Sequence, residues 1–182
     1  IDGVVGGRSV GVPGILKALD MAHQEFGQLP WSDLFTDSIN LSKNGFLVSN
    51  RLAQLLQKKI HPGLNQFRPS SVYFYPKGQP LQEGTLKKNQ ALANTLTSIA
   101  KQGADSFYQG AIAQSIARAA QTSIINPGFL TTQDMKNYQA VKRSPVCGTY
   151  KAHQVCGMAP PSSGGINVLQ ILNVNRSCHS SI

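Results

Sequence analysis

The sequence predicts an α+β fold in which helices dominate, and three observations predict it. Apolar residues recur at helical spacing in successive stretches from residue 13 to residue 137, separated by turns rich in proline and glycine. Between residues 138 and 165 that period is lost and short alternating runs replace it. From residue 163 an apolar helical pattern returns.

Residues 3–14 carry Gly3, Gly6, Gly7, Gly11, Pro13 and Gly14 and read as a turn-rich entry. Pro13 then suits a first helical turn. Ile15, Leu16, Leu19, Met21, Ala22 and Phe26 form the apolar face of the first helix, and Gly27 stops it. Leu29-Pro30-Trp31-Ser32 opens a second helix with Leu34, Phe35, Ile39 and Leu41 on its face, ending at Asn44-Gly45. Ser49 precedes Leu52, Leu55, Leu56 and Ile60, a third helix stopped by Pro62-Gly63. Short connections of this kind join packed antiparallel neighbours.

Residues 61–84 hold Pro62, Pro69, Pro76 and Pro80, and read as a long ordered excursion or a lid-like loop with a short strand at Val72-Tyr73-Phe74-Tyr75. Helices are expected again over 86–100 and from Ser106 or Ala111 to Thr122. A short one begins at Thr131 or Thr132. Strands are expected at 139–141, 146–150 and 153–157. The tail from residue 174 to residue 182 is polar and departs from the pattern before it.

Composition excludes several classes of protein. The 182 residues are 41% apolar and 14% charged, which argues against charge-driven disorder and fits one ordinary domain. A chain of this size buries about 70% of its unfolded surface without needing disulfides or metals. The net charge of +9 comes from 17 basic and 8 acidic residues. The basic residues lie in pairs such as Lys58-Lys59, Lys87-Lys88 and Lys142-Arg143 rather than in a run, so no nucleic-acid stripe is expected. No apolar run is long enough for a membrane span. The chain opens at Ile1 with no leader and reads as an excised piece. Cys147, Cys156 and Cys178 lack the C-x-x-C spacing of zinc or redox sites. Cys147 and Cys156 either meet across a hairpin or are buried as small apolar residues.

The catalytic motifs are weak. Gly7-Arg8-Ser9-Val10-Gly11 matches G-x-S-x-G, yet too little chain precedes Ser9 to build the strands that a nucleophile elbow needs. Ser98 and Lys101 match S-x-x-K without companion motifs and fit the polar side of a helix. His23, His61, His153 and His179 show no ligand spacing, so no metal is expected. The segment Ser162-Ser163-Gly164-Gly165 is the most informative. Either Ser163 caps the helix that follows and the glycines allow close packing, or backbone N–H groups face an anion there.

Taken together, Gly11-Val12-Pro13-Gly14, Ala22-His23-Gln24, Leu29-Pro30-Trp31, Gly45-Phe46, Leu92 to Leu96, Phe107-Tyr108-Gln109-Gly110, Leu130-Thr131 and Pro160 to Gly165 resemble, in order, the large subunit of the γ-glutamyltransferases (γ-glutamyltranspeptidases). The resemblance spans roughly residues 9–173. It implies part of the αββα sandwich of an N-terminal-nucleophile hydrolase, made as a self-cleaving precursor. In such enzymes the N-terminal Thr of the small subunit attacks γ-glutamyl amides such as glutathione, and the acyl group passes to water or an amino acid. No cofactor is implied. The implied partners are the remainder of the large subunit and the small catalytic subunit, and the implied location is periplasmic or secreted.

Two family features are absent from this sequence. No T-H-[FY]-S segment occurs, so the catalytic Thr is missing, and Arg8 lies outside the R-E context of the family's carboxylate clamp. This chain alone is therefore expected to be inactive. Its only candidate site residues are Ser162, Ser163, Gly164 and Gly165, as a site-proximal or structural loop. Other readings are an acylase or polyglutamate-capsule hydrolase on the same scaffold, or a small basic binding module. Past residue 173 the alternatives are truncation, a shifted reading frame or foreign sequence.

Overall fold

Several helix ends in this chain fall where a side chain or a glycine meets orphaned backbone groups, as at Ser49, Asn89 and Thr131 and at Gly27 and Gly45. The structure is a computed structural model that describes residues 3–61 and 63–178. The chain divides into two units, Ile1–Ala140 and Val141–Ile182.

In the first unit, helix α1 (Ile15–Phe26) follows Pro13-Gly14 and ends at Gly27, whose N–H donates to the His23 carbonyl at 2.7 Å. A 3-10 turn (Trp31–Phe35) leads into α2 (Thr36–Asn44), which Gly45 closes at φ +97°. Strand β1 (Phe46–Leu47) pairs antiparallel with β2 (Leu86–Lys87), Phe46 opposite Lys87. Between them lie α3 (Asn50–Lys58) and α4 (Arg68–Phe74). Helix α5 (Gln90–Gln102) packs against α2 and the Trp31 turn, and the Trp31 indole donates to the Ile99 carbonyl at 3.1 Å. Two further helices, α6 (Asp105–Tyr108) and α7 (Gly110–Gln121), precede α8 (Thr132–Asn137).

Among the described residues the unit has two buried apolar clusters. One joins Val48, Ala53, Leu56, Tyr75 and Leu81, and the Tyr75 hydroxyl donates to the Leu56 carbonyl at 2.9 Å. The other joins Tyr108, Ala113, Ala120, Leu130 and Met135, with Val12 and Leu16 packed against it. The Tyr108 hydroxyl donates to the Pro13 carbonyl at 2.6 Å and accepts from the Lys17 N–H at 3.1 Å, so the start of α1 is fixed to the second cluster. Burial raises the Tyr108 hydroxyl above the ordinary tyrosine range, while the bond from the Lys17 backbone pulls the other way. The entry segment is held where Gly7 and Arg8 donate to the Ile125 and Asn126 carbonyls at 3.1 and 2.8 Å.

Three local expectations are corrected, one of them at Leu86-Lys87, which is β2 rather than the start of a helix over 86–100; that helix, α5, begins at Gln90 after its cap Asn89. The strand expected at Val72-Tyr73-Phe74-Tyr75 is the end of α4 with its C-terminal cap, Tyr75. Pro69 sits in the first turn of that helix, where its missing N–H costs nothing, and burial of Tyr75 fixes the segment. The residues from 139 to 141 form no strand and are irregular. The excursion at 61–84 is ordered by α4 and a 3-10 turn (Pro76–Gly78) rather than being loop throughout.

The second unit is a hairpin on a helix. Strand β3 (Val146–Tyr150) pairs antiparallel with β4 (His153–Gly157) across Lys151-Ala152, and α9 (Gly164–Cys178) packs on both strands. Helix α9 continues beyond residue 173, while 179–182 lie outside the described residues.

Candidate functional site

The alternation of β3 and β4 decides what each face of the hairpin can do. Val146, Gly148, Tyr150, Val155 and Gly157 are half-buried, while Cys147, Thr149, Gln154 and Cys156 are exposed. Gly148 and Gly157 make the covered face thin enough for α9. A Cβ on Gly157 would stand 2.5 Å from the Gly165 Cα, and one on Gly148 would press on the Leu169 side chain at 3.1 Å. An apolar cavity of about 160 Å³ remains there, lined by Val155, Cys156, Gly157, Gly165, Val168 and Leu169.

The loop from Met158 to Ser163 reverses the chain between β4 and α9. Its Ser162 N–H donates to the Ala159 carbonyl at 3.2 Å, and the Arg143 guanidinium donates to the Pro160 carbonyl at 3.0 Å. The Ser163 carbonyl accepts the N–H of Asn167 at 2.9 Å, the first bond of α9. Gly165 is buried, and a Cβ on it would lie 2.5 Å from the Met158 carbonyl oxygen. Ser162, Ser163 and Gly164 are exposed. The four candidate residues therefore lie together at one helix start. Gly165 is required there by close backbone approach, and the two serines are exposed.

The other motif residues stay apart. Ser9 lies in a 3-10 turn (Gly7–Ser9) with no strand leading into it, and its hydroxyl donates to the Gly6 carbonyl at 2.8 Å. Ser98 and Lys101 lie within α5, Ser98 half-buried and Lys101 exposed. A His23 ring nitrogen bonds the Leu29 carbonyl at 2.9 Å, and His61 Nδ1 accepts from the Gly63 N–H at 3.2 Å. His179 lies outside the described residues. Among the described residues, no three His, Cys, Asp or Glu side chains gather as a metal would need.

One pairing that the sequence left open is decided by register. Cys147 lies opposite Cys156, and the two form a disulfide. Tyr108 is the anchoring residue that no catalytic motif marks. Its only signal in the sequence is its place in the Phe107-Tyr108-Gln109-Gly110 block.

A sequence model of the γ-glutamyltranspeptidases matches residues 2–181. The chain belongs to that family. It is 37% identical over 164 residues to a glutathione hydrolase proenzyme of Escherichia coli, covering 90% of this chain and 28% of that protein. The capsule biosynthesis protein CapD proenzyme of Bacillus anthracis is 33% identical, with 91% of this chain and 29% of that protein covered. Among solved structures, the γ-glutamyltranspeptidase of Helicobacter pylori matches with a TM-score of 0.87 at 34% identity, over 94% of this chain and 48% of that one. The chain thus spans less than a third of the length of these curated relatives. Members of the family are γ-glutamyl hydrolases and transferases, and the helix-rich fold with small sheets is that of a large-subunit portion of an N-terminal-nucleophile hydrolase. No described helix is long and apolar enough to cross a membrane.

Proposed function

We propose that this chain is large-subunit scaffold for an enzyme that cleaves γ-glutamyl amides such as glutathione and passes the γ-glutamyl group to water or an amino acid. The observation that carries this reading is the family match from residue 2 to residue 181. The reacting hydroxyl belongs to a Thr in a T-H-[FY]-S segment that this sequence lacks, so the 182 residues supply support rather than the nucleophile. The partners of the scaffold are the rest of the large subunit and the small catalytic subunit. The loop Ser162–Gly165 sets the start of α9 and takes no part in bond breaking. The enzyme works in the periplasm or outside the cell, where a disulfide such as Cys147–Cys156 can form.

Release of aniline from a γ-glutamyl anilide tests the reading. The chain alone is expected to give no turnover above blank. Joined to the family's upstream large-subunit portion, which carries the carboxylate clamp, and to a downstream portion carrying T-H-[FY]-S, it is expected to give turnover. Turnover by the isolated chain, or none by the joined protein once self-cleavage has been verified, would overturn it. A second reading, action on a polyglutamate capsule, draws on the similarity to the Bacillus anthracis protein. Poly-γ-glutamate offered to the joined protein beside glutathione separates the two by relative kcat/KM.

A further inference from the structure

The Cys147–Cys156 disulfide joins directly opposed residues on the face of the β3–β4 hairpin away from α9, and both cysteines are exposed. Its neighbours on that face are Thr149 and Gln154, polar and also exposed. The cysteines flank the glycines that seat the hairpin on α9: Cys147 precedes Gly148, which faces Leu169, and Cys156 precedes Gly157, which faces Gly165. Glycine is the least constrained residue in the unfolded chain, so strands that depend on it gain much from a covalent cross-link. Lys151, at the turn, holds a left-handed backbone at φ 51°, which a non-glycine residue adopts at a cost.

Exposed disulfides are the ones that small thiols reach. We propose that Cys147–Cys156 is a thiol-exchange site, and that glutathione opens this cross-link and so loosens the hairpin on α9. A glutathione thiolate attacks one Sγ and forms a mixed disulfide. The Cys147–Cys156 bond breaks, and the departing thiolate takes a proton from water. A second glutathione thiolate then attacks the glutathione sulfur of the mixed disulfide, releasing glutathione disulfide and leaving two cysteine thiols. The choice of glutathione as the thiol rests on the γ-glutamyl reading, whereas the exchange itself needs only an accessible disulfide.

The test uses the full 182-residue chain carrying Cys178→Ser, so that only the pair reports. Purified in air, the protein should show no alkylation after denaturation. Native incubation with millimolar reduced glutathione should give a species one glutathionyl mass heavier, then two alkylatable thiols. Tryptic cleavage after Lys151 should then run roughly tenfold faster, because the hairpin opens locally once its cross-link is lost. The variant pair Cys147→Ser with Cys156→Ser should cleave at the fast rate whether or not glutathione is present. 2-Mercaptoethanol, a thiol with no γ-glutamyl group, is expected to act in the same way. Exchange with 2-mercaptoethanol but not with glutathione would remove glutathione from the proposal without touching the site. A pair that is reduced as purified, or that resists both thiols in the native state while yielding to them in denaturant, would overturn the site itself. Unchanged cleavage after complete exchange would overturn the loosening.

Discussion

At the scale of single residues, two positions separate the roles of glycine and of apolar volume. Gly165 adopts an ordinary helical start, and what forbids a side chain there is the Met158 carbonyl, 2.5 Å from where a Cβ would stand. Gly165→Ala is expected to lower the stability of the second unit by about 1–3 kcal/mol, the usual cost of forcing volume into a closed contact. Hydrogen exchange of amides in β4 and α9, compared between the two proteins, checks this. Gly164 has only the Ser162 hydroxyl within 4 Å of the equivalent point, at 3.9 Å, so Gly164→Ala should be nearly neutral. Met135 is the opposite case: its side chain is fully enclosed at 0% exposure, in the cluster around Tyr108. Met135→Ala should cost about 2–5 kcal/mol in urea unfolding of the first unit. Its core position was partly legible, since it falls in the short helix begun by Thr131. That it is as enclosed as Tyr108 in the same cluster follows from packing with Ala113 and Ala120 of α7, which the local sequence does not encode.

Helices and strands raise the question of how each begins and stops. Ser49 accepts the Leu52 N–H at 3.3 Å, and Asn89 accepts the Leu92 N–H at 3.0 Å. Ser49→Ala should therefore destabilise α3 by about 1 kcal/mol, measured by the midpoint of thermal or urea unfolding. At α8 the Thr131 hydroxyl and the Asp134 carboxylate satisfy each other's backbone N–H groups in a capping box. Hydrogen bonds from the Thr131 side chain and backbone hold the Asp134 carboxyl below its ordinary value near 3.8. A carboxyl lowered by folding adds stability above its unfolded pKa and loses it as the pH falls through the folded value. The stability advantage of the native chain over Asp134→Asn should accordingly be full near neutrality and vanish in acid. An advantage that stays constant from pH 7 down to strong acid would contradict that assignment.

The starts at Ser49 and Thr131 were readable because such caps depend on neighbours three residues apart; the Asn89 cap was not, since helical spacing predicts that helix from residue 86, where β2 lies. The segment at 72–75 was not, because an aromatic and β-branched run suits a strand by propensity alone. Burial of the Tyr75 ring and its bond to the Leu56 carbonyl override that propensity.

For the molecule as a whole, much apolar surface is uncovered. Ile15, Leu19 and Phe26 run along one side of α1 at helical spacing and are exposed, and so are Leu47 and Leu86 on the small sheet. Phe129 is 81% exposed, an unusual position for a phenylalanine. Patches of this kind favour association. The isolated chain is expected to sediment as a concentration-dependent mixture, and Ile15→Lys with Phe26→Lys should shift it toward monomer; a single monomeric boundary at all concentrations would refute this. Sequence alone determined the type of most elements and the family, because these rest on short-range periodicity, turn chemistry and collinear blocks. Tertiary structure decided the β3–β4 register, that Cys147 and Cys156 are bonded, that Tyr75 ends a helix, that Tyr108 fixes the start of α1, and that the Met158 backbone leaves no room for a side chain at Gly165. Those outcomes depend on which distant backbones approach within a few ångströms, and residue spacing along a chain carries no such distance.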